Sequence, residues 1–320
     1  MTKIIAELCQ NHNGDIKIVE EMVHAASESG AEIVKIQSMH SDDLTHRVRF
    51  DEGVTINNEI KSIKRPYKSE YERLKKLDLN DEQHFMFMDF CKKYKVQPMT
   101  TIFSRSKLKF LESLDMNIIK VSSFDCASHK MIEELAESKF KEVIVSTGCT
   151  FDDEIKKTCE ILNKKNKNFS LLHCVSIYPT PLAEVHLNRI DFLRELNQDV
   201  GLSEHSNYEK DGLKTSVTSL LYDIKYIERH FTILPKDQTK DGVVSLDPVQ
   251  LKQLCDFTKK SKKEIEDYVK KNIPEFEEMK GKKIRKLSNA EMLNRDYYQG
   301  RFASRNKNQE LVFNWENKEI

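Results

Sequence analysis

Two segments of the 320-residue chain place a histidine beside a carboxylate at the end of a short apolar run. GLSEHS (201–206) contains His205, and YIERHFT (226–232) contains Glu228 and His230. This pattern is typical of the carboxyl ends of parallel strands, where α/β enzymes place their active sites. Two imidazoles at matching places on neighbouring predicted strands suit a divalent cation that keeps positions open for substrate or water.

Other polar side chains follow the remaining predicted strands at equivalent places. They are lysines, hydroxyl groups, carboxylates and a few further polar groups: Glu7, Lys35, Gln37, Thr100, Thr101, Lys120, Ser122, Ser123, Asp125, Ser146, Thr147, His173, Ser176, Tyr178, Ser203 and Glu204. Lysines and hydroxyl groups that converge on one cavity supply positive charge and hydrogen-bond donors to oxyanions. Together with a cation, they predict a small, phosphorylated, anionic substrate and an electrophile polarised by the metal.

Structural roles compete with catalytic ones for single residues. A histidine inside an apolar strand, such as His173, is more often hydrogen-bonded within the fold than catalytic. Lys35 and Lys120 could bury their stems and keep their charges at the surface, and serines after strands often form turns or helix caps. Cys149 and Cys174 are predicted to be core thiols.

The elements that would position these side chains alternate between strand-like and helical patterns. The predicted strands cover residues 4–8, 32–37, 96–101, 117–122, 142–146, 169–175, 199–203 and 224–230. The predicted helices cover residues 16–29, 81–94, 105–114, 128–137, 152–163, 183–196, 210–221 and 247–269. Eight such units predict an α/β fold, a (β/α)8 TIM barrel, which typically needs about 250 residues.

The domain boundaries follow from where this alternation holds. We predict a TIM-barrel catalytic domain over residues 1–272 and a short C-terminal extension over 273–320 that wraps the barrel or a partner subunit. Residues 40–79 are polar and lack a clear period, so they are predicted to be a long, irregular loop, which in a compact domain is usually functional.

Composition excludes several classes of protein. Lys plus Arg and Asp plus Glu both number 52, and this balance argues against nucleic-acid binding and a polybasic membrane anchor. No apolar run reaches transmembrane length, and the first predicted strand leaves no room for a signal peptide. Seven cysteines without a CxxC pair are typical of free thiols in a reducing compartment, so we expect a cytoplasmic protein.

Six motifs, taken together and in order, resemble the sialic acid synthases, a family that includes the legionaminic and pseudaminic acid synthases. They are IIAELCQNHNGD (4–15), GAEIVKIQ (30–37), STG (146–148), LLHCVSIYPTP (171–181), GLSEHS (201–206) and ERHFT (228–232). The resemblance runs from about residue 3 to about residue 260. Six motifs in the right order are far more specific than any one of them.

The resemblance implies that phosphoenolpyruvate condenses with an open-chain amino sugar similar to N-acetylmannosamine, giving a nonulosonic acid and phosphate. It implies that His205 and His230 bind the metal, with Mn²⁺ expected and Mg²⁺ or Co²⁺ as alternatives, and that Glu7 lies beside the reacting carbons. The residues implied in phosphoenolpyruvate binding are Lys35, Thr101, Lys120, Ser123, Ser146, Ser176 and Ser203. The residues implied in sugar binding are Gln37, Asp125, Tyr178 and Asp241. The resemblance also implies a homodimer.

Three features depart from the family pattern, all on the side expected to bind the sugar. Family members usually carry an antifreeze-like domain that lends an arginine to the partner's site, and residues 273–320 do not resemble it. PKDQTKD (235–241) replaces a Pro-Gly-Pro-Asp turn, and Asp125 stands where the family usually has glutamate. Condensation of phosphoenolpyruvate with a different aldose therefore stays open.

Two further functions compete with the synthase. A Schiff-base aldolase would use Lys120 or Lys35, because burial lowers the pKa of a lysine. A non-catalytic barrel would only bind a sugar or a partner. The residues alone decide neither the acceptor nor the metal.

Overall fold

Eight parallel strands close into a barrel in the computed structural model, which describes residues 2–320. The strands of the chain are β1 (Lys3–Cys9), β2 (Ile33–Ser38), β3 (Val54–Ile56), β4 (Glu59–Ser62), β5 (Gln97–Ile102), β6 (Ile118–Val121), β7 (Glu142–Ser146), β8 (Asn168–Cys174), β9 (Val200–Glu204), β10 (Tyr226–His230), β11 (Ala303–Arg305) and β12 (Leu311–Phe313). The barrel order is β1-β2-β5-β6-β7-β8-β9-β10, with β10 closing onto β1. The predicted TIM barrel is therefore confirmed.

At least one helix follows each barrel strand. The helices are α1 (Ile16–Glu28), α2 (Arg49–Glu52), α3 (Tyr67–Lys75), α4 (Asp81–Lys93), α5 (Leu108–Ser113), α6 (His129–Glu137), α7 (Asp152–Lys164), α8 (Arg189–Leu196), α9 (Tyr208–Asp211), α10 (Lys214–Ser219), α11 (Pro248–Phe257), α12 (Lys262–Asn272), α13 (Phe276–Lys280) and α14 (Asn289–Tyr298). In α1, Val19, Met22, Val23 and Ala26 are buried, and this spacing of three and four residues forms one apolar stripe facing the barrel.

An apolar layer fills the barrel interior below its carboxyl end. It consists of Ile5, Ile33, Met99, Ile118, Ile144, Leu172 and Tyr226. In β9 the equivalent position is Gly201, where a Cβ atom would lie 2.5 Å from the Tyr226 carbonyl oxygen. Side chains alternate across a strand, so the residue two positions further along is the next to face inward. Those next residues are Glu7, Lys35, Thr101, Lys120, Ser146, Cys174, Ser203 and Glu228.

Residues 40–79 are not the irregular loop that we predicted. They contain the short helix α2, the antiparallel hairpin β3–β4 and the helix α3. Asn57 and Asn58 have φ angles of 49° and 62°, the left-handed conformation that a tight two-residue hairpin turn requires. The Asn–Asn pair is the local signal for this hairpin.

The helix predicted over 247–269 is two helices, α11 and α12. The Ser261 side chain accepts a hydrogen bond from the Glu264 amide, and the Glu264 carboxylate accepts one from the Ser261 amide at 2.8 Å. This reciprocal pair forms a capping box, which begins a new helix. The helix predicted over 210–221 is likewise divided, at Gly212, where φ is +60°.

Residues 273–320 pack across the carboxyl end of this chain's own barrel. The Asn294 side chain donates to the Ser176 carbonyl oxygen at 2.7 Å, just beyond β8. The Arg295 guanidinium donates to the Cys149 carbonyl oxygen, also at 2.7 Å, just beyond β7. The extension therefore covers the face on which TIM-barrel enzymes build their active sites.

All seven cysteines of the chain are buried free thiols. Among residues 2–320, we found no helix with the length and apolar character that crossing a membrane requires.

Candidate active site

A cavity of about 370 Å³ opens at the carboxyl end of the barrel. This volume lies within the roughly 300–1,000 Å³ that is usual for small-molecule sites. Most of the predicted site residues line it: Glu7, Lys35, Gln37, Thr101, Lys120, Ser123, Ser146, Tyr178, Ser203, His205, His230 and Asp241. The eight strands therefore bring these side chains to one place.

Two lysines and two glutamates form a buried charge cluster at the bottom of the cavity. Lys35 contacts the Glu7 carboxylate, and its Nζ lies 3.8 Å from Glu228 Oε2. Lys120 Nζ lies 3.7 Å from Glu228 Oε1, which also accepts a hydrogen bond from Ser203 at 3.1 Å. None of the four charged side chains is more than 5% exposed. Their formal charges cancel, which offsets part of the cost of burying them.

Each lysine of the cluster also has a hydroxyl partner. Lys35 donates to Thr101 Oγ1 at 2.8 Å, and Lys120 donates to Ser146 Oγ at 2.7 Å. A lysine ammonium carries three donors, so each can exchange some of these partners for the oxygens of an anionic ligand. The arrangement is that of a preorganised anion site.

The loop after β7 comes unusually close to two serines. The Gly148 amide donates to Ser123 Oγ at 3.2 Å. A Cβ atom at Gly148 would lie 2.9 Å from Ser123 Oγ and 2.4 Å from Ser176 Oγ. Only glycine allows this approach, which places a backbone N–H beside the serine hydroxyl that lines the cavity.

Burial and charge give the two lysines different pKa values. Burial lowers the pKa of Lys35, but Glu228 and Glu7 outweigh it and raise that pKa above the usual lysine value. For Lys120, burial dominates over the attraction of Glu228, and Lys35 repels it, so its pKa is lowered. Burial opposes ionisation of Glu228, but Lys120 and Lys35 lower its pKa overall. As pH rises, Lys120 is the first of the two lysines to lose its proton.

His205 and His230 lie side by side, as predicted. Their ring centroids are 5.1 Å apart and the rings are close to perpendicular, at 81°. Burial and the neighbouring His230 hold the pKa of His205 well below the usual histidine value, so this ring is neutral, the form that binds metals. His230 Nδ1 is buried, and among residues 2–320 it has no hydrogen-bond partner.

The donor atoms around His230 fit a divalent cation. Asp241 Oδ2 lies 3.8 Å from His230 Nδ1. Donor atoms of Cys9, His230 and Asp241 all lie within 4.8 Å of one another. Imidazole, carboxylate and thiolate groups are all metal ligands in proteins, so the residues present can hold the cation that the sequence predicts.

Two of the residues that the resemblance assigned to substrate binding do not line the cavity, and neither do Thr100, Thr147, His173 and Glu204 among the other strand-end candidates. The Asp125 carboxylate accepts hydrogen bonds from Ser128 Oγ and Asn314 Nδ2, both at 2.9 Å, and so attaches the C-terminal extension. Ser176 is fully buried beneath the Asn294 side chain. Sugar binding by Asp125 and phosphoenolpyruvate binding by Ser176 stay predictions, and the structure gives each residue contacts within the fold instead.

The cavity is also lined by residues that the sequence did not indicate. Cys9 and Cys174 lie at the ends of β1 and β8. The outer wall comes from the segment 40–79, the barrel loops and the extension: Gln10, Met39, Arg65, Glu70, Arg73, Phe103, Phe124, Lys240, Asn294, Tyr297, Tyr298 and Arg301. Cys174, predicted to be a core thiol, is buried but faces the cavity. Cys9 and Cys174 could have been found by alternation, since Cys9 follows the inward-facing Glu7 by two positions. The other residues reach the cavity through long-range packing, which leaves no local signal.

The wall has an aromatic side and a basic side. The rings of Phe124 and Tyr298 stack with centroids 4.5 Å apart. Glu70 binds Arg301, and its carboxylate accepts a hydrogen bond from Arg73 at 2.8 Å. Burial opposes ionisation of Glu70, yet Arg73 and Arg301 lower its pKa to about 2.

Comparison with known proteins identifies relatives of this chain. The model of the NeuB family matches residues 22–270. An uncharacterized protein of Methanocaldococcus jannaschii is 32% identical over 256 residues, covering 79% of this chain and 68% of that protein. The N,N'-diacetyllegionaminic acid synthase of Campylobacter jejuni is 30% identical over 262 residues, covering 79% and 74%. The human N-acetylneuraminate-9-phosphate synthase is 27% identical over 258 residues, covering 78% and 67%.

Solved structures share the fold. An N-acetylneuraminic acid synthetase from Leptospira borgpetersenii aligns with a TM-score of 0.70 at 24% identity, covering 92% of this chain and 90% of that one. A truncated 3-deoxy-D-arabino-heptulosonate 7-phosphate synthase from Thermotoga maritima aligns with a TM-score of 0.57 at 13% identity, covering 84% and 87%. The resemblance to the sialic acid synthases is thereby confirmed, and with it the expectation of a synthase. The match over residues 22–270 and the synthase relatives show that this chain is an enzyme of the NeuB family.

Proposed function

We propose that the chain catalyses the metal-dependent condensation of phosphoenolpyruvate with an open-chain amino sugar similar to N-acetylmannosamine. The products are a nonulosonic acid and phosphate. The observation that carries this proposal is the meeting of two features in one cavity: the lysine and hydroxyl cluster around Lys35 and Lys120, and the neighbouring rings of His205 and His230. The first feature suits an enol phosphate, and the second suits the cation that activates an aldehyde.

Phosphoenolpyruvate would lie on the charge cluster. Its phosphate and carboxylate oxygens would accept hydrogen bonds from Lys35, Lys120 and the hydroxyl groups of Thr101, Ser146 and Ser123. An anionic ligand stabilises the charged form of a lysine, so its binding raises the lowered pKa of Lys120 and keeps that ammonium protonated.

The sugar aldehyde would lie between this anion site and the two histidines. When bound at His205 and His230, the cation supplies a Lewis acid that polarises the aldehyde oxygen. The methylene carbon of phosphoenolpyruvate then attacks the aldehyde carbon, and positive charge grows at the enol carbon. Glu7, held by Lys35 and by a 2.9 Å hydrogen bond from Gln37, would accept the proton of the water that adds there. The tetrahedral intermediate loses phosphate by cleavage of its carbon–oxygen bond.

The acceptor end of the cavity would be closed by the extension. Tyr178 packs its ring edge against His205, with centroids 4.4 Å apart, and Asp241 lies beside His230. Tyr298 and Arg301 of the extension face the same space. We propose residues 1–272 as the catalytic barrel and 273–320 as the segment that completes its sugar end, where a different aldose is the alternative acceptor.

Two properties of the proposal rest on the family resemblance alone: Mn²⁺ as the preferred cation, with Mg²⁺ or Co²⁺ as alternatives, and a homodimeric state. A third property, a cytoplasmic location, rests on the cysteine usage. Metal-dependent turnover, light scattering and cell fractionation test them one by one.

The proposed reaction is tested by an acceptor screen with the full chain. Phosphoenolpyruvate, Mn²⁺ and a panel of mannosamine-type and other aldose sugars are incubated with the protein, and phosphate and the keto acid product are measured. We expect His230→Asn to abolish phosphate release. His173→Asn is the matched control, because His173 Nε2 bonds the Val185 carbonyl oxygen at 2.7 Å and the ring lies outside this cavity. Full turnover by His230→Asn, or in excess EDTA, would contradict the metal-dependent scheme.

One observation favours a second function. The lowered pKa of the buried Lys120 is the property that a Schiff-base lysine needs. Borohydride trapping of a pyruvate adduct on Lys120, with activity that survives EDTA, would establish the aldolase instead. Sugar binding in calorimetry without phosphate release under any metal would establish a non-catalytic barrel.

A further inference from the structure

Cys9 stands at the end of β1 in an unusual backbone conformation. Its φ angle is +50°, and the pairing of β1 with β2 shifts register between Glu7 and Cys9. Cys9 lines the cavity, and the residue is only 3% exposed. A side chain in a strained left-handed conformation at the edge of a cavity is a candidate for a functional role.

The Cys9 sulfur lies among metal-binding groups. Sγ is 2.7 Å from Asp241 Oδ2 and 3.2 Å from Gln37 Nε2. Donor atoms of Cys9, His230 and Asp241 lie within 4.8 Å of one another. Ligand bonds of about 2.0–2.3 Å allow one ion to reach three such atoms.

His230 provides an independent indication of a ligand. Its side chain is 9% exposed, and within residues 2–320 its Nδ1 has no hydrogen-bond partner, although Asp241 Oδ2 is 3.8 Å away. A buried nitrogen without a partner is costly, and a cation at the centre of the three groups would remove that cost.

We propose that Cys9 binds the catalytic cation as a thiolate, together with His230 and Asp241. This inference rests on the cation of the proposed function and adds a ligand that the pair of histidines does not include. Binding transfers the thiol proton to solvent, so one proton leaves for each ion bound by sulfur. The neutral ring of His205, with its centroid 5.1 Å from that of His230, would complete the set of ligands.

A thiolate ligand changes which metal the site prefers. Sulfur favours zinc, cobalt and ferrous iron, whereas magnesium and manganese prefer oxygen ligands. We therefore expect this chain to bind Co²⁺ and Zn²⁺ more tightly than Mn²⁺, and Mg²⁺ most weakly. Its preference would then differ from the Mn²⁺ expected from the family resemblance.

Cobalt binding to the metal-free full chain, without substrates, tests the proposal. A cobalt–thiolate bond gives a charge-transfer absorption band in the near ultraviolet, and proton release is followed with a dye in weak buffer. Cys174→Ser is the matched control, because Cys174 is the other buried thiol of the cavity and its sulfur is 3.9 Å from His205 Nδ1.

We expect the wild type and Cys174→Ser to show the band and the proton release. Cys9→Ser should lose both, and its Kd for Co²⁺ should rise by at least about tenfold. Asp241→Asn, at a partly exposed position, should weaken binding but keep the band at saturation. A full band in Cys9→Ser, its loss only in Cys174→Ser, or no cobalt binding by the folded wild type would overturn the proposal.

The same samples separate this inference from the synthase function. A cobalt–thiolate band without phosphate release from phosphoenolpyruvate would leave Cys9 as a ligand and remove the proposed reaction. Phosphate release with Co²⁺ but without the cobalt–thiolate band would support the proposed reaction and exclude Cys9 as a ligand.

Discussion

Replacing Glu228 by Gln should change the pH dependence of phosphoenolpyruvate use. Glu228 Oε1 lies 3.7 Å from Lys120 Nζ in a site where both side chains are at most 5% exposed. At this separation and an effective dielectric constant near 20, their attraction is about 4 kcal/mol. The carboxylate stabilises the charged lysine, so its loss lowers the pKa of Lys120 further.

The sign of the effect follows from the charge of the substrate. In the proposed reaction the ammonium form of Lys120 binds the anionic substrate, and this form is lost as pH rises through the pKa. The alkaline limb of kcat/KM for phosphoenolpyruvate should therefore move to lower pH in Glu228→Gln. The assay is phosphate release at low phosphoenolpyruvate concentration across the pH range in which circular dichroism shows both proteins folded.

Glu142→Gln is the matched control. Glu142 is also buried, but it lies at the opposite end of the barrel, where it binds Lys225 and accepts a hydrogen bond from the Tyr226 hydroxyl at 3.0 Å. Its replacement should leave the alkaline limb in place. An unmoved limb in Glu228→Gln, or an equal movement in both variants, would refute the electrostatic role of Glu228.

Three further changes probe the apolar layer beneath the cavity, the cavity wall and the cavity mouth. Ile144→Ala, at a fully buried position of the apolar layer, should lower the free energy of unfolding in urea by about 2–5 kcal/mol. The control Val249→Ala, at a residue that is 66% exposed, should change this free energy by less than about 0.5 kcal/mol. Tyr298→Ala should raise KM for the sugar about two- to tenfold while KM for phosphoenolpyruvate stays nearly constant. Trp315→Ala removes an aromatic ring of the extension that lies outside the cavity, and it should leave both KM values unchanged. Lys240→Gln should lower kcat/KM for phosphoenolpyruvate about two- to threefold at low salt and hardly at all at high salt, because a lysine at the mouth steers an anion.

The barrel could be predicted because its pattern is local and repeats. Each strand is a short apolar run, and each helix has a buried stripe such as Val19, Met22 and Val23 in α1. The charge cluster at the bottom of the cavity follows the same alternation, so Lys35 and Lys120 could be assigned to strand ends from the sequence alone. Closure of the sheet then brings such residues together with no further information from the sequence.

The errors concern elements whose signals were local but weak. The hairpin β3–β4 depends on the two residues Asn57 and Asn58, and the break between α11 and α12 depends on the capping box of Ser261 and Glu264. Cys9 is a free thiol as expected, but its spacing from Glu7, which places it on the inward face, was not used to assign it to the cavity. Each of these signals is a pair of residues within a long and otherwise regular pattern.

The wall of the cavity could not be predicted from local patterns at all. Tyr298 and Arg301 follow Glu7 by almost the whole length of the chain, and only the folded extension brings them to the same cavity. The pair of Arg301 and Glu70 joins two segments with no shared periodicity. Asp125 shows the converse case, since it follows a barrel strand as the cavity residues do, but its carboxylate accepts hydrogen bonds from Ser128 and Asn314.

The most direct test of the central claim follows one oxygen atom. Phosphoenolpyruvate carrying a heavy oxygen isotope between its enol carbon and its phosphorus is turned over by the full chain with the acceptor sugar and a divalent cation. Condensation at the cavity of Lys35, Lys120 and His230 predicts that the released phosphate retains the label, seen as an isotope shift in its phosphorus NMR signal. Unlabelled phosphate would show that the phosphorus–oxygen bond breaks and would contradict the proposed reaction.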